Sequence, residues 1–493
     1  MIQAAPAAGD KETDAFQRWL EAEPADEVVD DLDALRGHLA ELRRSGVTGS
    51  ALRQCLEGAA ARGLDVSARI RAQLQALSLP LPGALHGASA DVSGALIEMA
   101  QGLEAMLPEP AMHAQAWERD RRQALALCCE AFIVSAMSAA NPPSGLWRLA
   151  NRMAGGLEDD VSYRTMAAIA AASPESFTAR QLAWIADFLD GGLPGVQKLA
   201  EGESLVGAWW VDLTEDAAPV SAARRLAPGH GEVRHFSLAP LARVLGERIE
   251  RLEAVIGGAE DAGGALAEVE LLDAGDESLP PGLTPVELLA LLRALRERWV
   301  TSPLRTQPRR PQHYAVQVCL GLRGLWELGR GRGEAGRVLE WQVLNESPGG
   351  YAIMNVVGTD ADAAGEIEAG IVLGLRRQAG TAWAVCVVRW VRSDGPERIE
   401  LGLQVLAPSY HAVQVAFRGA TLRGVAPALA LPPMEPMRRQ PAFLAPAGTY
   451  ASRRFVFVRE GTHLYVAQGR ALGLDMQTSS IELFRYEIDP YPI

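Results

Sequence analysis

The spacing of apolar residues changes partway along the chain, and this change constrains what the chain can fold into. Between about residues 15 and 200, apolar residues recur three and four positions apart, as Leu32, Leu35, Leu39 and Leu42 do. That spacing is typical of one face of an α-helix. From His313 onward, short apolar runs are separated by glycine- and proline-containing turns, as β-strands are. The sequence therefore predicts a multidomain α + β protein whose helices come first.

Interruptions in these patterns predict four parts. Residues 1–200 are predicted to form an all-α domain, and residues 201–282 an α/β middle segment that ends in a linker rich in Gly, Ala and Asp. Residues 283–424 are predicted to form an antiparallel β-barrel with a leading helix, because Thr284-Pro285 is a typical helix start. Residues 425–493 are predicted to form a small β-rich C-terminal extension.

The barrel is predicted from a series of short strands with turn signals between them. The region Gly321–Gly336 resembles an insertion and contains a short helical pattern around Leu325. After the barrel, residues 425–437 carry four prolines and indicate a connection between strands. The predicted strands are 314–320, 339–344, 351–357, 366–375, 382–391, 398–406 and 411–417.

Charge is distributed unevenly along the chain. The first 300 residues hold 26 basic and 44 acidic residues, whereas the rest holds 21 Arg and 17 Asp plus Glu. An acidic N-terminal half argues against binding of nucleic acid there. The mildly basic C-terminal half is suited to a small anion.

The sequence also predicts a cytoplasmic location. The five cysteines fit no metal-binding spacing and have apolar neighbours, as buried free thiols in a reducing compartment do. The first residues show no basic region followed by an apolar run, so no signal peptide is expected. No apolar run is long enough to predict a membrane span.

One turn carries the strongest functional signal. Asn345, Ser347 and Gly350 form an Asn-x-Ser-x-x-Gly pattern between two predicted strands. Short amide and hydroxyl side chains at a turn can bond to the edge of a ligand, and glycine lets the chain turn tightly. Upstream lie Arg305 and Arg309, followed by Arg310. Arginine can pair with a phosphate through two hydrogen bonds and can stack on a base.

An arginine pair ahead of such a turn resembles the PilZ family of cyclic di-GMP receptors. Strands similar to those of the family follow in order at 387–391 and 399–405, and the resemblance covers about residues 303–418. It implies a β-barrel that binds cyclic di-GMP without a metal or a further cofactor, and it leaves open whether Arg309 or Arg310 is the second ligand arginine. The implied ligand contacts are Arg305, Arg309, Arg310, Asn345, Ser347 and Gly350.

Other motifs lack the context that their chemistry needs. Gly331–Gly336 matches a dinucleotide fingerprint by spacing but leads into a strand, so a mobile loop is expected. His230 and His235 have no further metal ligands nearby in sequence. Trp209-Trp210 is interpreted as part of a core strand rather than a partner-binding surface. Because no catalytic arrangement is recognised, we do not expect an enzyme.

The predicted function is that of a cyclic di-GMP effector. Ligand binding would order the segment Arg305–Arg310 against the barrel, and residues 1–300 would dock a protein partner, not nucleic acid. Two alternatives stay open at this point. The barrel can be an interaction scaffold that no longer binds ligand, or residues 1–300 can contain an unrecognised active site.

Overall fold

The chain divides into two compact units. Residues 1–174, 178–242 and 298–304 form one unit, and residues 175–177, 243–297 and 305–493 form the other. The computed structural model describes residues 8–107, 114–154, 160–191, 193–200, 202–261, 283, 285–301, 307–331, 338–356, 367–395, 397–417, 425–450, 454–460 and 464–489.

The first unit begins with helices packed through apolar faces, as the periodicity predicts. Leu32, Leu35, Leu39 and Leu42 are all buried on one face of a single helix. The helices are α1 (Ala8–Glu21), α2 (Val28–Ser45), α3 (Gly49–Gln75), α4 (Gly83–Ala105), α5 (Ala114–Met137), α6 (Leu146–Met153), α7 (Val161–Ala171) and α8 (Ala179–Asp190).

A buried carboxylate ties α2 to α3. Asp31 is 2% exposed, and one of its oxygens accepts a hydrogen bond of 2.9 Å from Arg69 Nη1. Arg62 Nη2 lies 3.5 Å from the other carboxylate oxygen. Arg69 also donates to the backbone carbonyls of Ala25 and Asp26, so it holds the connection between α1 and α2. The Asp31 carboxylate therefore balances two arginine cations, and through Arg69 it helps to hold the connection between α1 and α2.

A small antiparallel sheet follows the helices. Its strands are β1 (Gln197–Lys198), β2 (Ala208–Asp212), β3 (Val220–Ser221) and β4 (Val233–Ser237), in the order β1-β4-β2-β3. Trp209 and Trp210 are 4% and 3% exposed within β2, which confirms the prediction of a core strand. Two long helices come next, α9 (Ala239–Asp261) and α10 (Pro285–Val300).

The leading helix of the barrel region starts where the sequence predicts. It begins at Pro285, whereas Thr284 lies outside the described residues. The predicted linker spans 257–282, of which 257–261 belong to helix α9 instead and 262–282 lie outside the described residues. At its other end, Trp299 is fully buried, and its indole nitrogen donates a hydrogen bond of 2.9 Å to the carbonyl oxygen of Ala168. This bond satisfies the one polar atom of a large apolar side chain.

The first barrel is closed and antiparallel. Its strands are β5 (Arg310–Leu320), β6 (Val338–Ser347), β7 (Gly350–Val356), β8 (Val372–Arg376), β9 (Ala384–Gly395) and β10 (Arg398–Ala407), and their order around the barrel is β10-β7-β6-β5-β8-β9. A six-stranded barrel of this size is filled by side chains rather than open. Trp341, Val343 and Ile353 are among its fully buried residues.

The C-terminal region forms a second closed barrel, where the sequence predicted only a small β-rich extension. Its strands are β11 (His411–Phe417), β12 (Ala426–Leu431), β13 (Ala442–Pro446), β14 (Arg454–Arg459), β15 (Tyr465–Gln477) and β16 (Ile481–Ile488). Its interior is aromatic, and Phe443 stacks on Tyr486 with ring centroids 3.9 Å apart.

Two of the strand predictions are wrong. Residues 411–417 were predicted to complete the first barrel, but β11 pairs with β12 and β14 in the second. Alternation identifies a strand without identifying its partner. Residues 425–437 were interpreted as a connection, but 426–431 is β12. Pro427 is its second residue, a position near the strand end that proline tolerates, and the other three prolines follow the strand.

Both barrels have the same connectivity. We count the six strands of each barrel in chain order. In both barrels the first strand pairs with the second and the fourth, and the third strand pairs with the sixth. The fifth strand lies between the fourth and the sixth. The second strand connects to the third through residues 348–349 in the first barrel and through residues 432–441 in the second. The second barrel thus repeats the topology of the first with a longer connection at this point.

The predicted insertion forms a helix that packs against both barrels. Helix α11 (Leu322–Gly329) follows β5, and Leu325 is fully buried in a cluster that includes Val385 of the first barrel and Leu444 of the second. Trp326 Nε1 donates to the carbonyl oxygen of Val413 at 2.7 Å. The inserted residues therefore fill the space between the two barrels. Residues 332–337, where a mobile loop was expected, lie outside the described residues.

The Asp31 cluster gives a stability prediction. Asp31→Asn removes the carboxylate that faces Arg62 and Arg69, so we expect it to lower the free energy of unfolding by about 3 kcal/mol, as removal of one partner from a buried ion pair does. Differential scanning calorimetry of the full chain measures the loss. Asp33→Asn in the same helix is the matched control, because Asp33 is exposed and 3.9 Å from Arg36, and such a pair contributes less than about 1 kcal/mol. Equal losses in the two variants would contradict the prediction.

Candidate functional site

The Asn-x-Ser-x-x-Gly pattern lies where the sequence places it, at the turn between two strands. Asn345 and Ser347 are in the last residues of β6, and Gly350 is the first residue of β7. Ser347 Oγ donates a hydrogen bond to the carbonyl oxygen of Gly350 at 3.3 Å. The hydroxyl thus closes the turn and is held beside Asn345 on the same strand.

The structure brings Arg309 to this turn. Arg309 directly precedes β5, whose first two residues pair with Glu346 and Asn345 of β6. The Arg309 Nη1 atom donates a hydrogen bond of 2.9 Å to Asn345 Oδ1. Strand pairing therefore converts a separation of 36 residues into a direct side-chain contact.

The three predicted arginines have different positions. Arg309 is part-buried against Asn345, whereas Arg310 is exposed as the first residue of β5. The hydrogen bond to Asn345 thus distinguishes Arg309 from Arg310, which the sequence did not. Arg305 lies outside the described residues.

Beside Asn345, a row of paired residues crosses four neighbouring strands. Asn345 of β6 is opposite Ala352 of β7, Ala352 is opposite Gly402 of β10, and Gly402 is opposite Trp390 of β9. The two middle residues are small. A Cβ atom built on Gly402 would lie 1.9 Å from Trp390 Nε1, so the indole lies directly over the glycine. The two middle positions of the row therefore carry only small side chains, with the Asn345 amide at one end and the Trp390 ring at the other.

Trp390, Gly402 and Ala352 were not predicted as site residues. The strands that contain them were recognised, but the register between strands determines which residues lie side by side, and one sequence does not specify that register. The alternation on β10, which puts Gly402 at an outward position between the buried Leu401 and Leu403, is the signal that would have pointed to them.

A second cluster of polar side chains lies at the end of the barrel next to the turn. Tyr314 Oη donates to Glu346 Oε2 at 2.5 Å, and Arg377 Nη2 donates to the same two atoms at 3.0 and 2.9 Å. The Arg377 guanidinium carbon also lies 4.7 Å from the centre of the Tyr314 ring. Burial and the hydrogen bond to Glu346 raise the pKa of Tyr314 to about 12. The phenol is therefore protonated at neutral pH and donates to Glu346.

The electrostatics around the turn favour an anion. Arg309, Arg310 and Arg377 lie at this end of the barrel, and Glu346 forms an ion pair with Arg377. Of these three, Arg309 contacts a neutral amide oxygen, and Arg310 is exposed at the start of β5. Guanidinium groups bind phosphate and carboxylate through paired, charge-assisted hydrogen bonds.

Three further observations concern metal ligands, membrane-spanning helices and cysteines. Among the described residues, no three His, Cys, Asp or Glu side chains cluster in the way that would hold a metal ion. None of the helices that the structure describes combines the length and the apolar composition needed to cross a bilayer. The five cysteines are buried and form no disulfide, and burial raises the pKa of the Cys386 thiol to about 12.

Comparison with known proteins identifies the first barrel. Residues 330–411 match the family model described as the middle PilZ domain of the cyclic-di-GMP receptor FimW, and residues 14–197 match the model of the N-terminal domain of the same receptor. The first barrel is therefore a PilZ domain, as the sequence predicts.

One curated relative supports the same assignment over a short stretch. The cyclic-di-GMP receptor FimW of Pseudomonas aeruginosa is 31% identical over 67 residues, which cover 14% of this chain. The aligned stretch spans only 10% of the relative's own length.

The turn gives a prediction about close packing. The Cβ atom of Gly350→Ala would lie 2.0 Å from the carbonyl oxygen of Leu403, and a backbone atom of a paired strand cannot move aside easily. We expect the substitution to lower the free energy of unfolding by about 1–3 kcal/mol, the usual cost of overpacking. Urea denaturation, followed by tryptophan fluorescence, measures this loss.

The neighbouring glycine is the matched control. A Cβ atom on Gly349 has only the Gln307 side-chain oxygen nearby, at 3.5 Å, so Gly349→Ala should leave the denaturation midpoint within error of the wild type. If both variants lose the same stability, flexibility of the turn matters rather than the approach of Leu403.

Proposed function

We propose that this PilZ-domain chain is a receptor that binds cyclic di-GMP on the outer wall of its first barrel, around the β6–β7 turn. The observation that carries the proposal is the hydrogen bond between Arg309 and Asn345. It supports one surface on which a cation and the polar turn meet, which is what a compact dianionic nucleotide needs.

Each group has a role that follows from its chemistry. The Arg309 guanidinium pairs with a phosphate oxygen or stacks on a guanine face. Asn345 and Ser347 present amide and hydroxyl groups to a guanine edge. Arg310, exposed at the start of β5, and Arg305 supply further positive charge. In the row from Asn345 to Trp390, the small residues Ala352 and Gly402 leave room for a planar base, and the Trp390 ring can pack against it.

The contact between Arg309 and Asn345 also supports a switch. The guanidinium donates to a neutral amide oxygen at 2.9 Å. A phosphate oxygen is a stronger acceptor, because hydrogen bonds with ionised partners are about twice as strong as neutral ones. Ligand binding would therefore draw Arg309 from Asn345 to the phosphate, which frees the amide for the guanine edge.

The proposed activity is binding, not catalysis, and its output is a protein contact. Residues 14–197 resemble the N-terminal domain of a protein described as a receptor. The first 300 residues carry 44 acidic and 26 basic side chains, a balance that suits a partner with a basic surface rather than nucleic acid. We infer that ligand binding at the PilZ domain alters this contact, since a ligand shifts an equilibrium only if it binds the two states differently.

The binding proposal predicts a specific set of affinities. Calorimetric titration with cyclic di-GMP should give saturable binding, and Arg309→Ala and Ser347→Ala should each weaken it about ten- to a hundredfold, since the loss of a hydrogen bond to a charged group costs about 1.5–3 kcal/mol. Arg323→Ala is the matched control, because Arg323 is 83% exposed on α11 and pairs with Glu327. An absence of heat in the wild type would leave a scaffold that no longer binds ligand.

Arg310→Ala tests which arginine contacts the ligand. The proposal expects a loss smaller than that of Arg309→Ala, because only Arg309 is already positioned by Asn345. A larger loss would reverse the two roles while leaving the binding proposal intact.

The output proposal predicts that ligand changes partner capture by the full chain. Affinity purification from native lysate, with and without cyclic di-GMP, should recover at least one protein in amounts that depend on the ligand. The dependence should vanish in Arg309→Ala and persist in Arg323→Ala. Partners that ignore both the ligand and Arg309→Ala would contradict the effector model.

A further inference from the structure

A pocket of about 590 Å³ lies beside the second barrel. It is bounded by the connection between β12 and β13, by the outward faces of β15 and β16, and by the end of β10. Its volume falls within the range of small-molecule sites, roughly 300–1,000 Å³. Neither the motif of the first barrel nor the function proposed for it involves this pocket.

The pocket is at a position that corresponds to the candidate site of the first barrel. Because the two barrels share their connectivity, the β12–β13 connection is the counterpart of the β6–β7 turn. The longer connection, residues 432–441, contains Arg438 and Arg439 in place of the Asn-x-Ser-x-x-Gly pattern. A different set of polar groups thus occupies the same place in a repeated topology.

The connection is held in a defined shape. Arg438 is 8% exposed, and its guanidinium donates to the carbonyl oxygens of Pro432 at 2.8 Å, Gln440 at 3.2 Å and Leu406 at 3.3 Å. The backbone groups of Met434 and Arg438 also exchange two hydrogen bonds. One wall of the pocket is therefore fixed before any ligand arrives, which lowers the entropy cost of binding.

The charges that line the pocket favour an anion. Arg438, Arg439 and Arg485 face it, against a single carboxylate, Asp475. Asp475 Oδ1 accepts a hydrogen bond of 2.7 Å from Arg485 Nε, and the exposed Arg439 stands apart from that pair. Burial lowers the pKa of Arg438, which is the response of a cation that an added anion would stabilise.

The remaining lining is apolar and adaptable. Met434, Met437 and Met476 line the pocket together with Leu406 and Leu483. Methionine has a flexible, polarizable side chain that fits the face of a planar or irregular group. The pocket therefore combines cations at its rim with a thioether-rich wall.

We propose that this pocket is a second ligand site, which takes a nucleotide-sized phosphate ester with a planar body. Arg439 and Arg485 hold the phosphate, the methionines pack against the base, and Asp475 and Gln440 are placed for the polar edge of the base. The proposal does not depend on ligand binding at the first barrel, since the two sites share no side chain.

The test uses the full chain with the first site silenced by Arg309→Ala and Ser347→Ala. Calorimetric titrations with GMP, cyclic di-GMP and inorganic phosphate are compared. We expect saturable binding of at least one of the two nucleotides and weaker binding of phosphate alone. Adding Arg439→Gln and Arg485→Gln should reduce the nucleotide affinity at least tenfold.

Arg470→Gln is the matched control. Arg470 is also on the second barrel and forms an ion pair with a carboxylate, Glu487, but it does not line the pocket. Affinity unchanged in this variant, together with the loss in the pocket variants, would support the site. Equal losses in Arg470→Gln would attribute the effect to surface charge and overturn the proposal, as would the absence of saturable heat with both nucleotides.

The design separates the two sites. If Arg309→Ala and Ser347→Ala leave the nucleotide isotherm of the otherwise unchanged chain intact while the pocket variants abolish it, the function proposed for the first barrel fails and the second site stands. The opposite pattern supports the first site and removes the second.

Discussion

The first barrel depends on the closure between β7 and β10. These strands pair from Gly350 opposite Gln404 to Val356 opposite Arg398, and the backbones come so close at Gly350 that a Cβ atom there would meet the Leu403 carbonyl at 2.0 Å. Closure is what places β6, β7, β10 and β9 side by side. Without it, Asn345 and Trp390 would not lie on one surface, and the turn would be an ordinary hairpin. The glycine of the motif is therefore needed for the barrel as much as for a ligand.

Local chemistry in the sequence was sufficient to predict the turn at the centre of the candidate site. Asn345, Ser347 and Gly350 are at a strand–turn–strand junction because amide, hydroxyl and glycine favour turns, and the alternation on either side is unambiguous. The contact between Arg309 and Asn345 follows from the pairing of β5 with β6, which neighbouring strands adopt most often. The helical first unit and the buried Trp209-Trp210 strand were predictable for the same reason, since each rests on a short-range pattern.

What the sequence did not predict depends on contacts between distant residues. The strand at 411–417 alternates as a strand should, but its partners lie at 426–430 and 455–458, and no local signal chooses between them and β10. The second barrel went unrecognised because Pro427 hid one strand and because alanine-rich β12 and β13 lack the β-branched residues typical of strands. The row from Asn345 to Trp390 depends on the register of three strand pairs. The insertion at α11 was seen, but its place between two barrels required knowledge that the second barrel exists.

One strand serves both candidate sites. Gln404 of β10 pairs with Gly350 of the motif turn, and the same residue, followed by Val405 and Leu406, lines the pocket of the second barrel. The carbonyl of Leu406 accepts a hydrogen bond from Arg438, so the wall of the pocket is fastened to the strand that closes the first barrel. If a ligand at either site shifts the end of β10, the other site changes with it. Linkage then requires the coupling free energy to be the same in both directions. A phosphate ester bound in the second pocket must change the affinity of the motif turn for its ligand by a certain factor. A ligand bound at the turn must change the affinity of the pocket for the phosphate ester by the same factor. A repeated barrel whose pocket is lined by the end of β10 is thus a physical route by which one chain could respond to two anions rather than one.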